Sequence, residues 1–245
     1  MQKFLTLAFL FFIGSVAGWV IELIFRRFVS SSNPEHKWIN PGFCTGPYLP
    51  IYGVGLCVLY LLAQLGNYIG MDNGFFRKGT LFFVMAIMMT AIEYIAGIIC
   101  LKSHSVRLWD YSDEWGNIQG IICPKFSIVW AVMGAVYYFA IHPYILGALD
   151  WLSKNYMFSF FIGLFFGVFI LDVAHSTQLI VKLKEYSEEH DVIVRYEMIK
   201  ASIRKRHDQT KEKYRFFRPF KSDKPLHELL REYADTFEMR KKYKK

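Results

Sequence analysis

Charge is scarce through most of this chain. Only 20% of its 245 residues are charged, while 53% are hydrophobic and 18% aromatic. A soluble domain carries about 25% charged residues, so an ordinary water-soluble fold is excluded. Cysteine is equally sparse. The four cysteines, Cys44, Cys57, Cys100 and Cys123, form no CxxC pair, which argues against a zinc ribbon or a thioredoxin-type centre. No GxxxxGK[ST] phosphate loop occurs, so the chain is not an ATPase subunit. GFFRKGT at residues 74–80 lacks the Lys after its second glycine. No nucleic-acid recognition module is visible, and no nucleic-acid partner or cofactor is expected.

What is present is long apolar runs. About 20 consecutive apolar residues cross a ~30 Å hydrocarbon core, and five stretches qualify: 5–25, 47–71, 79–101, 126–149 and 156–181. Backbone groups in lipid must be satisfied internally, so each is expected to be a helix. Pro47, Pro50 and Pro143 are read as lying near run ends, where a missing amide proton matters least. The expected fold is an all-α membrane protein. It is a bundle of about five transmembrane helices with a structured polar re-entrant or interfacial loop and a helical basic tail. Residues 1–181 form the membrane domain and 182–245 the tail. A signal-peptide reading of residues 5–17 conflicts with an apolar run that continues to Phe25 and ends in Arg26-Arg27.

From residue 182 onward there are 19 Lys and Arg against 12 Asp and Glu. Before it there are 10 against 9, so nearly all of the net +8 lies in the tail. Flanking Lys and Arg mark the cytoplasmic side. This places the C-terminus in the cytoplasm, the N-terminus outside, and loops 26–46 and 102–125 inside. In the tail, Phe216, Phe217 and Phe220 beside basic residues suit an anionic lipid surface. Leu226, Leu229, Leu230, Tyr233 and Phe237 follow helical spacing.

Ionisable residues within spans are rare and face a cavity or a partner. Glu22 lies four residues after Gly18, which follows Gly14 at the spacing that lets helices approach closely. Glu22 can reach the interface or pair with Arg26 at i+4. Glu93 is eight residues before Leu101, ~12 Å along the helix, and is either a bonded structural acid or a proton- or ligand-binding one. Asp172 and His175 share a helix face. They suit a structural pair or an oriented imidazole, and are too few for a metal site. With this topology Glu22, Glu93, Asp172 and His175 all fall in the inner half of the bilayer, as a polar pocket open to the cytoplasm.

The two inside loops are unusual. KWINPGFCTGPYLPIYGVG, residues 37–55, holds four glycines and three prolines, a structured non-helical entry in which Gly46-Pro47 starts the second helix. LWDYSDEWGNIQGIIC, residues 108–123, sets Trp109, Tyr111 and Trp115 among Asp110, Asn117 and Gln119. Its aromatic rings suit the headgroup layer. Its polar groups can pin the loop beneath the bundle as a cap formed by Trp109, Asp110, Tyr111, Asn117 and Cys123. Cys44 and Cys123 are expected to be reduced in the cytosol, or paired if the topology is inverted.

GWVIELIF, WINPGFCTGPYLPIYGVG, EYIAGIIC and RLWDYSDEWGNIQGIICPKFSIVWAVMG resemble the putative ABC-transporter permease family (putative ABC-transporter type IV) of small bacterial membrane proteins. The resemblance covers about Gly18 to Gly134, and the WDYS…NxxGxxC segment is its specific part. The pattern positions are Trp19, Glu22, Gly42, Gly46, Pro47, Pro50, Ile51, Tyr52, Gly53, Glu93, Tyr94, Trp109, Asp110, Tyr111, Asn117, Gly120, Cys123, Phe126, Ser127 and Trp130. It implies a multi-pass protein of the bacterial inner membrane acting as a transporter permease component. With five spans, such a component would need a homodimer or partner subunits. The alternatives are an inner-leaflet enzyme or lipid-headgroup binder using Asp110, Asn117 and Glu93, and a non-catalytic scaffold.

Overall fold

The computed structural model describes residues 2–30, 33, 35–65, 74–104, 106–190, 194–196, 198–200 and 228. The lipid-anchor and amphipathic-helix readings of residues 216–237 fall outside them, apart from residue 228.

The bundle is helical, as its apolar runs dictate. In chain order the elements are α1 (Gln2–Phe28), α2 (Pro50–Leu65), α3 (Gly74–His104), β1 (Val106–Arg107), α4 (Pro124–Val136), α5 (His142–Lys154), α6 (Ser159–His190) and β2 (Val194–Arg195). Among the described residues four helical stretches are long and apolar enough to cross a membrane: Lys3–Phe28, Phe76–Lys102, Pro124–Lys154 and Tyr156–Glu185. The expected second span differs. α2 has 16 residues, ~24 Å at 1.5 Å per residue, and residues 66–73 lie outside the described chain. It begins at Pro50 rather than at Gly46-Pro47. The preceding backbone is bent around Asn40, whose amide donates to the carbonyls of Cys44 and Thr45.

Pro143 is not at a helix end. α4 and α5 join through a wide π-turn, Tyr137–Ile141, into one rod. Proline cannot donate to the carbonyl four residues back and crowds it. A wide turn just before it accommodates both effects.

Glycines set the tightest approach. A Cβ on Gly18 would lie 2.1 Å from the Tyr52 ring, and one on Gly53 2.2 Å from Ser15 Oγ. The Gly14–Gly18 face of α1 therefore seats directly on α2, as the spacing predicts. Behind this contact Leu10, Leu59, Met85, Met89, Trp130 and Tyr137 form the main core. α6 packs on the edge, leaving Phe160, Leu164, Ile170 and Leu171 exposed, a surface suited to hydrocarbon.

One element returns. β2 pairs in parallel with β1, Val106 opposite Val194 and Arg107 opposite Arg195. The chain after α6 thus closes back on the polar loops.

Candidate functional site

Three polar assemblies lie around the loops, each centred on a carboxylate. The first is Asp172 on α6. One oxygen accepts the Thr45 N–H at 3.1 Å and the Ser176 hydroxyl at 3.2 Å. The other accepts the Gly46 N–H at 2.8 Å and the Tyr48 hydroxyl. Two backbone amides and two hydroxyls hold this carboxylate, with no cation beside it among the described residues, so it moors the 40–48 loop to α6. The same loop is held from the opposite side. The buried Lys200 donates to the carbonyls of Asn40 (3.0 Å) and Gly42 (3.2 Å), and the Tyr196 hydroxyl donates to Phe43 O (3.3 Å). Trp19 Nε1 donates to Asn40 Oδ1 at 2.9 Å. Cys44 lies buried in this loop, and burial, followed by the nearby Asp172 charge, pushes its thiol up to about 12. It is therefore an inert thiol rather than a nucleophile.

The second assembly is the loop of residues 106–123, the expected cap. Asp110 accepts from Arg107 (2.9 Å), from the Ser112 amide (3.0 Å) and hydroxyl, and from Arg195 of β2 (3.0 Å). Burial alone would push its carboxyl up. The Ser112 donors and the two arginines outweigh that and hold it below the usual carboxylate range. Asn117 stitches the loop internally, donating to the carbonyls of Ser112 and Glu114 and accepting the Gly120 N–H. Gly120 has φ +67°, and a Cβ there would strike Arg107, so only glycine fits. Trp109 donates to Ile121 O at 2.9 Å. Cys123 is buried just before α4. All four cysteines are free.

The third assembly connects cap and membrane. The Tyr111 ring stacks on Phe126 at 4.3 Å, and its hydroxyl reaches up to Glu93 Oε1 at 3.1 Å. Burial and then the Glu93 charge raise the Tyr111 phenol well above its ordinary value, so it acts as a neutral donor. Glu93 is 3% exposed. The Trp130 indole N–H is also directed at the Glu93 carboxyl and Glu22 is the nearby like charge, while Oε2 meets no donor within hydrogen-bond geometry among the described residues. Glu22 is anchored by Arg26 (3.0 Å) and by the Tyr52 hydroxyl (3.1 Å). The Tyr52 ring lies 5.3 Å from Trp130. Glu22 and Glu93 are thus linked through an aromatic wall.

The other sequence-identified residues are placed differently. Asp172 is occupied by the loop moorings, and its partner on α6 is Ser176 at i+4. His175 is exposed, and no hydrogen bond joins it to Asp172 among the described residues. Sequence reasoning did not single out Tyr48, Ser176, Tyr196 or Lys200 as partners, nor the Tyr137 hydroxyl facing His142 Nδ1 at 2.9 Å in the π-turn. Ser176 had a usable signal, four residues after Asp172. Among the described residues no group of three or more His, Cys, Asp or Glu side chains converges as metal ligands would.

Residues 9–177 match the family described as putative ABC-transporter type IV, and the chain belongs to it. It is a membrane protein related to ABC transporters. No curated protein and no solved structure matches the chain.

Proposed function

We propose that this member of the family is a transporter permease-like component of a bacterial inner membrane, with its N-terminus outside and its C-terminus in the cytoplasm. Glu22 and Glu93 form the polar pocket, open toward the cytoplasm. The loop of Trp109, Asp110, Tyr111, Asn117 and Cys123 closes its mouth. Asp172 serves the same gate indirectly by mooring the 40–48 loop, and His175 lies at its margin. The basic residues 182–245 form a cytoplasmic tail that engages anionic lipid, and a second copy or partner subunits complete the pathway.

The observation that carries this reading is the buried Glu93, reached by a loop tyrosine and left with one oxygen unfilled. Buried polar atoms are nearly always bonded, so an intramembrane carboxylate oxygen without a partner supports a working site there. The positive-inside balance supports the orientation.

Impermeant thiol labelling tests both parts. The native Cys44 and Cys123 are buried and therefore poor reporters. Asp113→Cys, on the exposed part of the cap, should label only when the cytoplasmic side is opened. Glu93→Cys should label from the cytoplasm in one state and from outside in another. Labelling of Asp113→Cys in intact cells would reverse the topology. Access to Glu93→Cys from one side under every condition would rule out transport.

A further inference from the structure

We infer that Glu93 is a proton-binding site and that the cap loop reads its occupancy through Tyr111. This rests on the pocket reading above and names its ligand. Four observations converge. Glu93 is 3% exposed. Its Oε1 accepts the Tyr111 hydroxyl, a neutral donor, at 3.1 Å. Its Oε2 has no partner among the described residues. The surroundings are closely packed, since a Cβ on Gly97, one turn along α3, would lie 2.3 Å from Ile121 of the cap.

The charged and titratable groups facing Glu93 decide what can fill Oε2. α1 presents Glu22, already neutralised by Arg26. α2 presents Tyr52, bonded to Glu22. The cap presents Tyr111, with Cys123 beyond it. α4 presents Trp130 and Phe126, neither titratable. α6 adds none to the groups that act on Glu93 most strongly. Among the described residues no cation pairs with Glu93, and Glu22, though paired with Arg26, adds residual repulsion. A bare carboxylate in such a place is expensive. A proton is the one cation that needs no cavity. It binds Oε2, removes the charge, and leaves Oε1 as a carbonyl still accepting from Tyr111.

The coupling follows by linkage. The docked cap excludes water from Glu93, so docking favours the proton, and the proton must favour docking by the same factor. Loss of the proton leaves a buried charge that only water can stabilise, and water enters only if the cap loosens. The Tyr111–Glu93 hydrogen bond is the contact that changes. Protonation is thus a latch on the cytoplasmic mouth, and the proton is the species whose movement this pocket is built to couple.

The test uses the full-length protein in lipid nanodiscs, without solute. Infrared difference spectra between acidic and alkaline pH should show a protonated-carboxyl stretch that is absent in Glu93→Gln. Hydrogen exchange of cap amides 106–123, corrected for intrinsic rates, should accelerate about tenfold as that band disappears, the size of a one-unit coupling. Glu93→Gln, neutral at every pH, should hold the cap slow-exchanging from about pH 5 upward, where Asp110 stays ionised. Tyr111→Phe should keep the infrared band but lose most of the exchange response. A wild-type pH response in Glu93→Gln, or no band assignable to Glu93 while the cap is closed, would overturn the inference. If Glu93→Gln fails to fold, the wild-type spectrum and Tyr111→Phe still decide. None of these readouts requires solute movement, so the proton site and the transport reading fail separately.

Discussion

Asp172 and Glu93 are both acids on long apolar helices, and the structure treats them in opposite ways. Asp172 is only half buried yet meets four donors, two of them backbone amides from a loop more than a hundred residues away. Glu93 is almost fully buried yet meets only the Tyr111 hydroxyl at full hydrogen-bond geometry, with the Trp130 indole nearby, and its Oε2 has no partner among the described residues. Depth along an apolar helix therefore does not decide how completely an acid is bonded. Asp172 is a mooring, and its negative charge is an advantage because charge-assisted bonds hold the loop more firmly than neutral ones. Glu93 is placed where charge is a disadvantage.

This contrast can be tested by removing each acid. Asp172→Ala leaves two amides and two hydroxyls without their acceptor and should lower stability by about 3 kcal/mol, read from denaturation in detergent. Tyr48→Phe removes one donor of the four and should lose about 1.5 kcal/mol. If both variants are as stable as the parent, Asp172 is not a mooring and the comparison fails.

Asp110 is the intermediate case, bonded to two arginines and to Ser112 near the surface. Asp110→Ala and Asn117→Ala should each cost about 1 kcal/mol. Asp113→Ala, on the exposed side, should stay within about 0.5 kcal/mol. Because the folded carboxyl of Asp110 sits below its unfolded value, its contribution is present above about pH 3.9 and is lost as pH falls through the folded value. Acid should thus loosen the wild-type cap at low pH, while Asp110→Asn should lack this dependence. Hydrogen exchange of the cap at pH 3 and pH 6 measures it.

A small effect is also expected where burial is greatest. Glu93→Gln keeps the shape and can still accept from Tyr111, so stability should change by less than about 1 kcal/mol at mildly acidic pH. A loss matching that of Asp172→Ala would show Glu93 to be a structural acid after all.

Much of this was legible in the sequence, for physical reasons. Helices in apolar surroundings announce themselves by run length, and four of the expected spans have helices long enough. The Gly14–Gly18 seat was legible because spacing fixes the face. The internal bonding of the 106–123 loop was legible because so many hydrogen-bonding groups must bond somewhere. The mooring of Asp172 was not, because two of its donors are backbone amides, which every residue carries. His175 drew attention at i+3, but Ser176 at i+4 supplied the hydroxyl. Pro143 reads as a helix end in any sequence, and only the surrounding rod reveals the π-turn that absorbs it. Residues 194–200 were read as tail because a two-residue strand has no period to detect, and a lysine among other basic residues gives no sign that it will be buried.

The position of Lys200 has a consequence for how the protein is made. It holds the carbonyls of Asn40 and Gly42 across 160 and 158 residues of chain. At ~5–20 residues synthesised per second, the loop around Asn40 exists for roughly 8–30 s before Lys200 is translated. Through that interval the spans are already entering the bilayer while these carbonyls must be served by water. The 40–48 loop is therefore closed late, by a described segment that leaves the ribosome after all four long apolar helices. A chain halted before residue 194 would insert its helices and remain unlocked.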